Sequence, residues 1–406
     1  MKNTATRLDG RSLRFLFTAL WGSLVCACGT QNLDGGLIAS ASGGSGGTAQ
    51  PNGGAGGQSN GGSAMGGNQG GGGDITGGVK LFNPAHLPCD TYAEDGGPCV
   101  AAHSTVRRLS STYTGPLYQV RVGGSTSGTG GATVDIGFGT DGFADGPAQD
   151  TACGVSACTI SIIYDQSGLG NHLTHAPAGG AKTTPGNEAN AKSLPINLGG
   201  HVVYGEHNPV GVGYRNNKAV GTATGDNPET IYMVTSGNYS NGGCCFDYGN
   251  AETNSRDNGE GTMEAVYFGT CTIWNKGGGA GPWVMGDLEN GLWAGNSSPY
   301  EANLSVPTVY TYVTGLVKGD KASAAYPSGH WAIKVGAGTF TKAFDGPRPS
   351  SHYNPMRKEG AIILGTGGDN SNGAVGNFFE GVMTAHYASD AADEAVAANI
   401  ASVYVQ

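Results

Sequence analysis

The chain alternates short apolar runs with stretches rich in Gly, Asn, Ser and Pro. Runs at Cys158 to Tyr164, Thr230 to Val234, Thr262 to Phe268, Thr308 to Val317, His330 to Val335 and Gly360 to Leu364 have the length and the β-branched or aromatic content of strands. Turn-forming residues separate them, without the regular strand–helix alternation of a parallel α/β protein. The pattern predicts an all-β domain built as a β-sandwich. One segment departs from it. Val396, Ile400, Val403 and Tyr404 recur at helical spacing behind Ser389 and Asp390, either of which can cap, so a short C-terminal helix is expected and no other.

The run Pro282 to Asn290 ends in two carboxylates one residue apart. Read as a strand, it points Asp287 and Glu289 to one face and Leu288 to the other. Like charges on one face repel, which spreads their titrations apart, and paired carboxylates are what glycoside hydrolysis requires. On spacing alone the plainer reading is a solvated strand edge.

The first residues carry a different pattern. Lys2, Arg7, Arg11 and Arg14 precede an apolar stretch, Phe15 to Val25, too short to span a bilayer. Val25-Cys26-Ala27-Cys28 then resembles a bacterial lipoprotein cleavage box with Cys28 as the acylated residue, although Cys26 is unusual there; plain secretion is the alternative. Residues 1–28 therefore read as a signal peptide. Residues 29–79 are dominated by Gly, Ser, Asn and Ala and read as a disordered linker. Residues 80–406 are left for one folded domain, with no internal repeat.

Composition narrows the function classes. Of 406 residues 75 are Gly, and Lys plus Arg number 21 against 31 for Asp plus Glu, with no basic patch for nucleic acid. Cys26 and Cys28 fall in the export segment, leaving Cys89, Cys99, Cys153, Cys158, Cys244, Cys245 and Cys271. Seven is odd, so at least one is unpaired within the chain. Cys89–Cys99 and Cys153–Cys158 would each close a short loop. Adjacent Cα atoms lie closer than disulfides usually allow, so arithmetic alone favours separate partners for Cys244 and Cys245. His172 and His175 lack the further ligands of a zinc site. Asp369-Asn-Ser-Asn-Gly373 lacks the distal acid of a calcium loop. Asp247, Glu252 and Glu264 are competing acids, the last reading as structural. No cofactor or metal is expected.

Several longer stretches are more specific. They are Pro98-Cys-Val-Ala-Ala-His-Ser-Thr105, Ile163-Tyr-Asp-Gln-Ser-Gly168 with Gly170-Asn-His-Leu-Thr174, Gly213-Tyr-Arg-Asn-Asn217, Cys244-Cys-Phe-Asp-Tyr-Gly-Asn-Ala-Glu-Thr253, Gly281-Pro-Trp283, and Lys358-Glu-Gly-Ala-Ile-Ile-Leu364 leading into Gly367-Gly-Asp-Asn-Ser-Asn-Gly373. With these the chain, from about Pro88 to the C-terminal helix, closely resembles the catalytic domain of family 54 glycoside hydrolases, the α-L-arabinofuranosidase B type. The resemblance implies a concanavalin-like (jelly-roll) β-sandwich and a retaining, exo-acting hydrolase. By position it implies Glu289 as nucleophile and Asp369 as general acid/base. It implies sugar contacts from Trp274, Asp287, Asn290 and Gly368, and an adjacent disulfide Cys244–Cys245 in the sugar pocket. It also pairs Cys89–Cys99 and Cys153–Cys158, leaving Cys271 as the odd thiol. The implied partners are arabinose-containing plant cell-wall polysaccharides or oligosaccharides, met by a monomer. A lectin-like binder on the same fold and a glycosidase for another furanose, such as galactofuranose, are the alternatives. Fungal members carry a further C-terminal arabinose-binding module, which has no counterpart in this sequence.

Overall fold

A computed structural model describes Asn83 and residues 85–349 and 351–404. The export segment, Cys28 and the whole of the linker, residues 29–79, lie outside the described residues. Two antiparallel sheets make up the domain. The first runs, in spatial order, through Cys99–Ser104, Gly376–Thr384, Glu229–Thr235, Val313–Asp320, His330–Gly336 and Phe340–Pro347, with Glu206–Asn208 also paired to Gly376–Thr384. The second has ten strands: Leu292–Trp293, Trp283–Asp287, Glu264–Gly269, Asp247–Ala251, Ala361–Leu364, Tyr214–Asn216, Leu173–His175, Cys158–Ile163, Tyr118–Val122 and Ala132–Ile136. A separate hairpin joins Pro195–Leu198 to His201–Tyr204. The expected sandwich is therefore present.

Alternation along the ten-stranded sheet decides what each face does. Tyr248, Val266, Val284 and Ile362 belong to the large core shared with Ile231, Val317 and Trp331 of the other sheet. Gly286 is small because Trp331 lies over it: a Cβ there would sit 2.7 Å from the indole. The intervening residues Asp247, Ala265, Asp287 and Ile363 therefore point to the opposite face of the sheet. That outer face is also buried, with Cys245, Tyr267, Trp283, Met285 and Leu292 in one cluster and Ala251, Met263, Ala265 and Ile363 in another.

The run expected at Thr308 to Val317 begins later, at Val313, because Thr308 to Tyr312 form a turn and its exit. The C-terminal helix is Asp390–Val403, and the Ser389 side chain accepts from the Ala392 N–H as its cap. It is joined by two helices that the periodicity did not reveal, Pro88–Glu94 and Gly146–Cys153. Each has only two turns, too few for a hydrophobic period to emerge. Proline in the first turn and a disulfide hold each one: Cys89 bonds Cys99, and Cys153 bonds Cys158.

Candidate active site

A cavity of about 200 Å³ opens on the outer face of the ten-stranded sheet. Its walls include Cys244, Cys245, Glu252, Asp257, Trp274, Asp287, Glu289, Gly368 and Asp369. Seven of these nine are residues singled out in the sequence, drawn from strand ends far apart in the chain.

The strand carrying Asp287 ends at that residue, so Glu289 is not its alternate neighbour on a continuing strand. Glu289 lies instead in a tight turn, with φ of 76°, closed by Leu288 N–H donating to Gly291 O. Positive φ is costly for a residue with a side chain and marks sites held by their surroundings. The surroundings here are a loop. Oε1 of Glu289 accepts from the backbone N–H of Asn258 at 2.8 Å and Gly259 at 3.0 Å; Oε2 accepts from Glu260 at 3.0 Å and Thr262 at 2.8 Å. Leu288 turns the other way, into a buried contact with Tyr353 and Met356. The two carboxylates do converge, through a turn rather than through strand alternation.

Asp369 sits on the facing loop, after the strand Ala361–Leu364. Its Oδ1 accepts from Ser371 N–H at 3.0 Å, and its carbonyl from Ala181 N–H at 2.9 Å. Ser371 O in turn accepts from Gly367 and Cys245 N–H, tying this loop to the adjacent cysteines. Cys244 and Cys245 are bonded to each other across a cis peptide, against the arithmetic reading and in line with the resemblance. Among the described residues Cys271 is the free thiol, buried beside Cys245 and Tyr267. Trp274 is 54% exposed at the rim, so it is no core residue. Asn290 is not among the residues lining the cavity; its amide donates to Gly259 O at 2.6 Å, fastening the loop that holds Glu289.

Buried acids crowd the floor. Burial pushes the Asp287 carboxyl up to about 7, against the hydrogen bond it accepts from Glu289 N–H. Asp247 is wholly buried and pushed well above the carboxylate range, first by burial and then by Asp287. Among the described residues no fixed donor reaches either Asp247 oxygen, so nothing offsets the burial and the Asp287 carboxyl that keep its proton on. Burial likewise pushes Glu252 up to about 8 and raises Asp257. The sulfurs of Cys244 and Cys245 and an Asp287 oxygen lie within 4.8 Å of one another, but bonded sulfurs offer no thiolate to a metal. His172 Nδ1 is occupied by the Asp165 N–H. Glu264, as expected, is structural: with Glu229 it flanks buried Lys358, at 2.9 and 3.1 Å.

Sequence reasoning did not assign Asp257 to the site and set Glu252 aside as a competing acid. A run of turn residues, Asn254 to Gly261, was the available signal for the loop. Its contribution is backbone N–H groups, which no side-chain motif reports.

A family profile described as the catalytic domain of α-L-arabinofuranosidase B matches residues 88–405. The chain belongs to that family. A probable α-L-arabinofuranosidase B of Aspergillus fumigatus is 53% identical over 323 residues, covering 77% of this chain and 61% of that protein. The chain thus spans about three-fifths of the length of the curated relatives it matches. An arabinofuranosidase crystallised with arabinofuranosyl-α-1,2-xylobiose superposes with a TM-score of 0.72 at 47% identity, over 78% of this chain and 65% of that one. A Glu-to-Gln mutant of a family 54 α-L-arabinofuranosidase, soaked with 4-nitrophenyl α-L-arabinofuranoside, gives 0.73 at 47% identity, over 79% and 66%.

Proposed function

We propose that this domain is a retaining, exo-acting α-L-arabinofuranosidase that removes terminal arabinofuranosyl residues from arabinan, arabinoxylan or related plant polysaccharides. The observation that carries the reading is the meeting of Glu289 and Asp369 in one small cavity walled by a disulfide and an indole. A pocket of this size suits one terminal sugar ring better than a threaded chain.

In the first step the Glu289 carboxylate attacks the anomeric carbon as the glycosidic C–O bond breaks, and Asp369 gives its proton to the leaving oxygen. In the second, Asp369 takes a proton from water, the water oxygen attacks the anomeric carbon, and the ester bond to Glu289 breaks. The four N–H donors on Glu289 orient it for attack and stabilise the carboxylate that departs in the second step. The Cys244–Cys245 disulfide and Trp274 offer apolar surface to the C–H faces of the furanose. Asp287 and the Gly368 backbone, with Asn290 at the edge, fix its hydroxyls. Glu289 and Asp369 both being present favours catalysis over a lectin role.

A panel of nitrophenyl glycosides tests this. Release from the α-L-arabinofuranoside, with no release from the galactofuranoside or the β-xyloside, is the expected result. Binding without turnover would make the protein a lectin.

The same reading has the protein exported from a bacterial cell and acting as a monomer, with residues 29–79 tethering the domain to a lipid on Cys28. Three disulfides suit an oxidising compartment. Mass spectrometry of the mature N-terminus should find acyl chains on Cys28. An unmodified terminus elsewhere would leave plain secretion.

A further inference from the structure

Glu252 is fully buried, yet it borders the cavity. Its carboxyl lies against Gly368, where any Cβ would run into Oε2, so the glycine beside Asp369 makes room for this acid. Among the described residues neither carboxyl oxygen has a hydrogen-bond partner. The nearest cation is Arg215, whose Nη2 stands 3.8 Å from Oε2, an electrostatic contact outside hydrogen-bond range. The Arg215 fork is occupied elsewhere: Nη1 donates to Gly368 O, Nη2 to Glu252 O and Nε to Asn217. Arg215 thus clamps the backbone at Glu252, just past the strand Asp247–Ala251, to the backbone of the Asp369 loop and leaves the Glu252 carboxyl without a donor.

A buried acid with no donor and mostly acidic neighbours is most stable with its proton on. The charged groups acting on it are Arg215, Asp247, Asp287 and Glu289, and Arg215 itself also feels Asp369 and Glu359. Burial is the main influence, and it outweighs Arg215. In this form Glu252 presents an O–H with no acceptor yet assigned to it. We propose that Glu252 is a protonated carboxylic acid that donates a hydrogen bond to a hydroxyl of the sugar bound in this cavity, a specificity-determining contact separate from the two reacting carboxyls. This rests on the arabinofuranosidase reading and names a further residue of the same site.

Glutamine is the informative replacement, because it keeps the shape and a donor but never ionises; alanine removes both. The probe is 4-nitrophenyl 1-thio-α-L-arabinofuranoside, a ligand resistant to hydrolysis, titrated calorimetrically into wild type, Glu252→Gln and Glu252→Ala at about pH 6 and about pH 9.5. These values bracket the Glu252 carboxyl, raised to about 8. At the lower pH, Glu252→Gln should match wild type within about twofold, and Glu252→Ala should bind about tenfold more weakly, the loss of one good hydrogen bond. At the higher pH, wild type should fall about fivefold or more relative to Glu252→Gln. Taking the ratio of the two removes most of the Asp287 titration, which both proteins share. Near-ultraviolet dichroism establishes that each variant is folded. Equal weakening by glutamine and alanine at the lower pH, or parallel behaviour of wild type and Glu252→Gln across pH, would overturn the proposal while leaving the arabinofuranosidase reading intact. Failure of wild type to bind the probe at either pH would overturn both.

Discussion

Beneath the C-terminal helix, Asp393 is wholly buried between the ammonium groups of Lys318 and Lys334, at 2.7 and 2.6 Å. Asp287 in the cavity wall and its neighbour Asp247 are comparably buried, but the carboxyl each meets is the other's. The helix region matches its acids with cations, and its exposed neighbour Asp390 is drawn below the carboxylate range by hydrogen bonds from Lys334 and Lys342. Near the cavity stands Arg215, whose Nη1 and Nη2 are on backbone carbonyls. Burial alone therefore does not say what an acid is for. With a cation it becomes a fastening; without one it keeps a proton that chemistry or a ligand can use.

The sharpest way to test that contrast is to remove cavity acids and ask what is lost. Glu289→Gln should cut turnover about ten-thousandfold with the fold kept, as near-ultraviolet dichroism would show. Asp369→Asn should lose much less on aryl arabinofuranosides with good leaving groups, and azide should partly restore it by attacking the trapped ester. Equal, unrescued losses on activated and unactivated substrates would show that the roles are wrongly assigned.

Stability should respond at the other end of the molecule. Asp393→Asn leaves two buried ammonium groups with only Asp390 as an acidic partner, and should cost about 3 kcal/mol in urea unfolding with unchanged turnover per folded molecule. Asp287→Asn replaces a buried acid, already raised to about 7, by a neutral isostere. Its stability cost should be under about 1 kcal/mol, although turnover falls. If the two costs came out alike, the contrast between the regions would fail.

Replacing Cys244 and Cys245 together with Ser tests an apolar part of the cavity. We expect about a tenfold fall in kcat/KM for the arabinofuranoside, from lost packing on the sugar, with the fold kept. A fall no larger than assay error would remove the disulfide from the sugar platform.

The last comparison is in pH dependence, where the two regions should differ in sign. Glu252 and Asp287 titrate higher in the folded chain, at about 8 and about 7, than at the ordinary value of about 4 in the unfolded one. Their contribution to stability is fully present below about pH 4 and is lost as pH rises through 7 to 8. Asp390 is shifted down, so its contribution is present above about pH 4 and is lost on further acidification. Urea midpoints measured across pH should therefore drop more between about pH 6 and about pH 9 in wild type than in Glu252→Gln.

How much of this was legible in the sequence depends on how locally each feature is encoded. The long inner strands were, because Ile231 to Val234 is an apolar run of the right length and Trp331 to Val335 is apolar but for Lys334. The helices Pro88–Glu94 and Gly146–Cys153 were not, being too short for a period and held by disulfides. Asp287 and Glu289 were found by an argument from alternation that the turn at Leu288 sets aside. Their convergence, and that of Asp369 with the adjacent cysteines, was carried by the family resemblance. Glu252 was visible as an acid, but its missing donor is a property of the three-dimensional surroundings. Arg215, within one of the quoted stretches, drew no attention, since its work is done on carbonyls.

The hold on Glu289 has a consequence for how this site tolerates change. Its four partners are main-chain N–H groups at positions 258, 259, 260 and 262, so almost any side chain at Asn258 or Glu260 supplies the same donor. Proline, which has none, is the exception. Gly259 and Gly261, at φ of 75° and 72°, are fixed for a different reason, the backbone shape. A saturation library across the loop should show broad acceptance at 258 and 260 with proline as the main casualty. Sequence diversity there would be compatible with an unchanged reaction, leaving the loop free to vary toward different polymers.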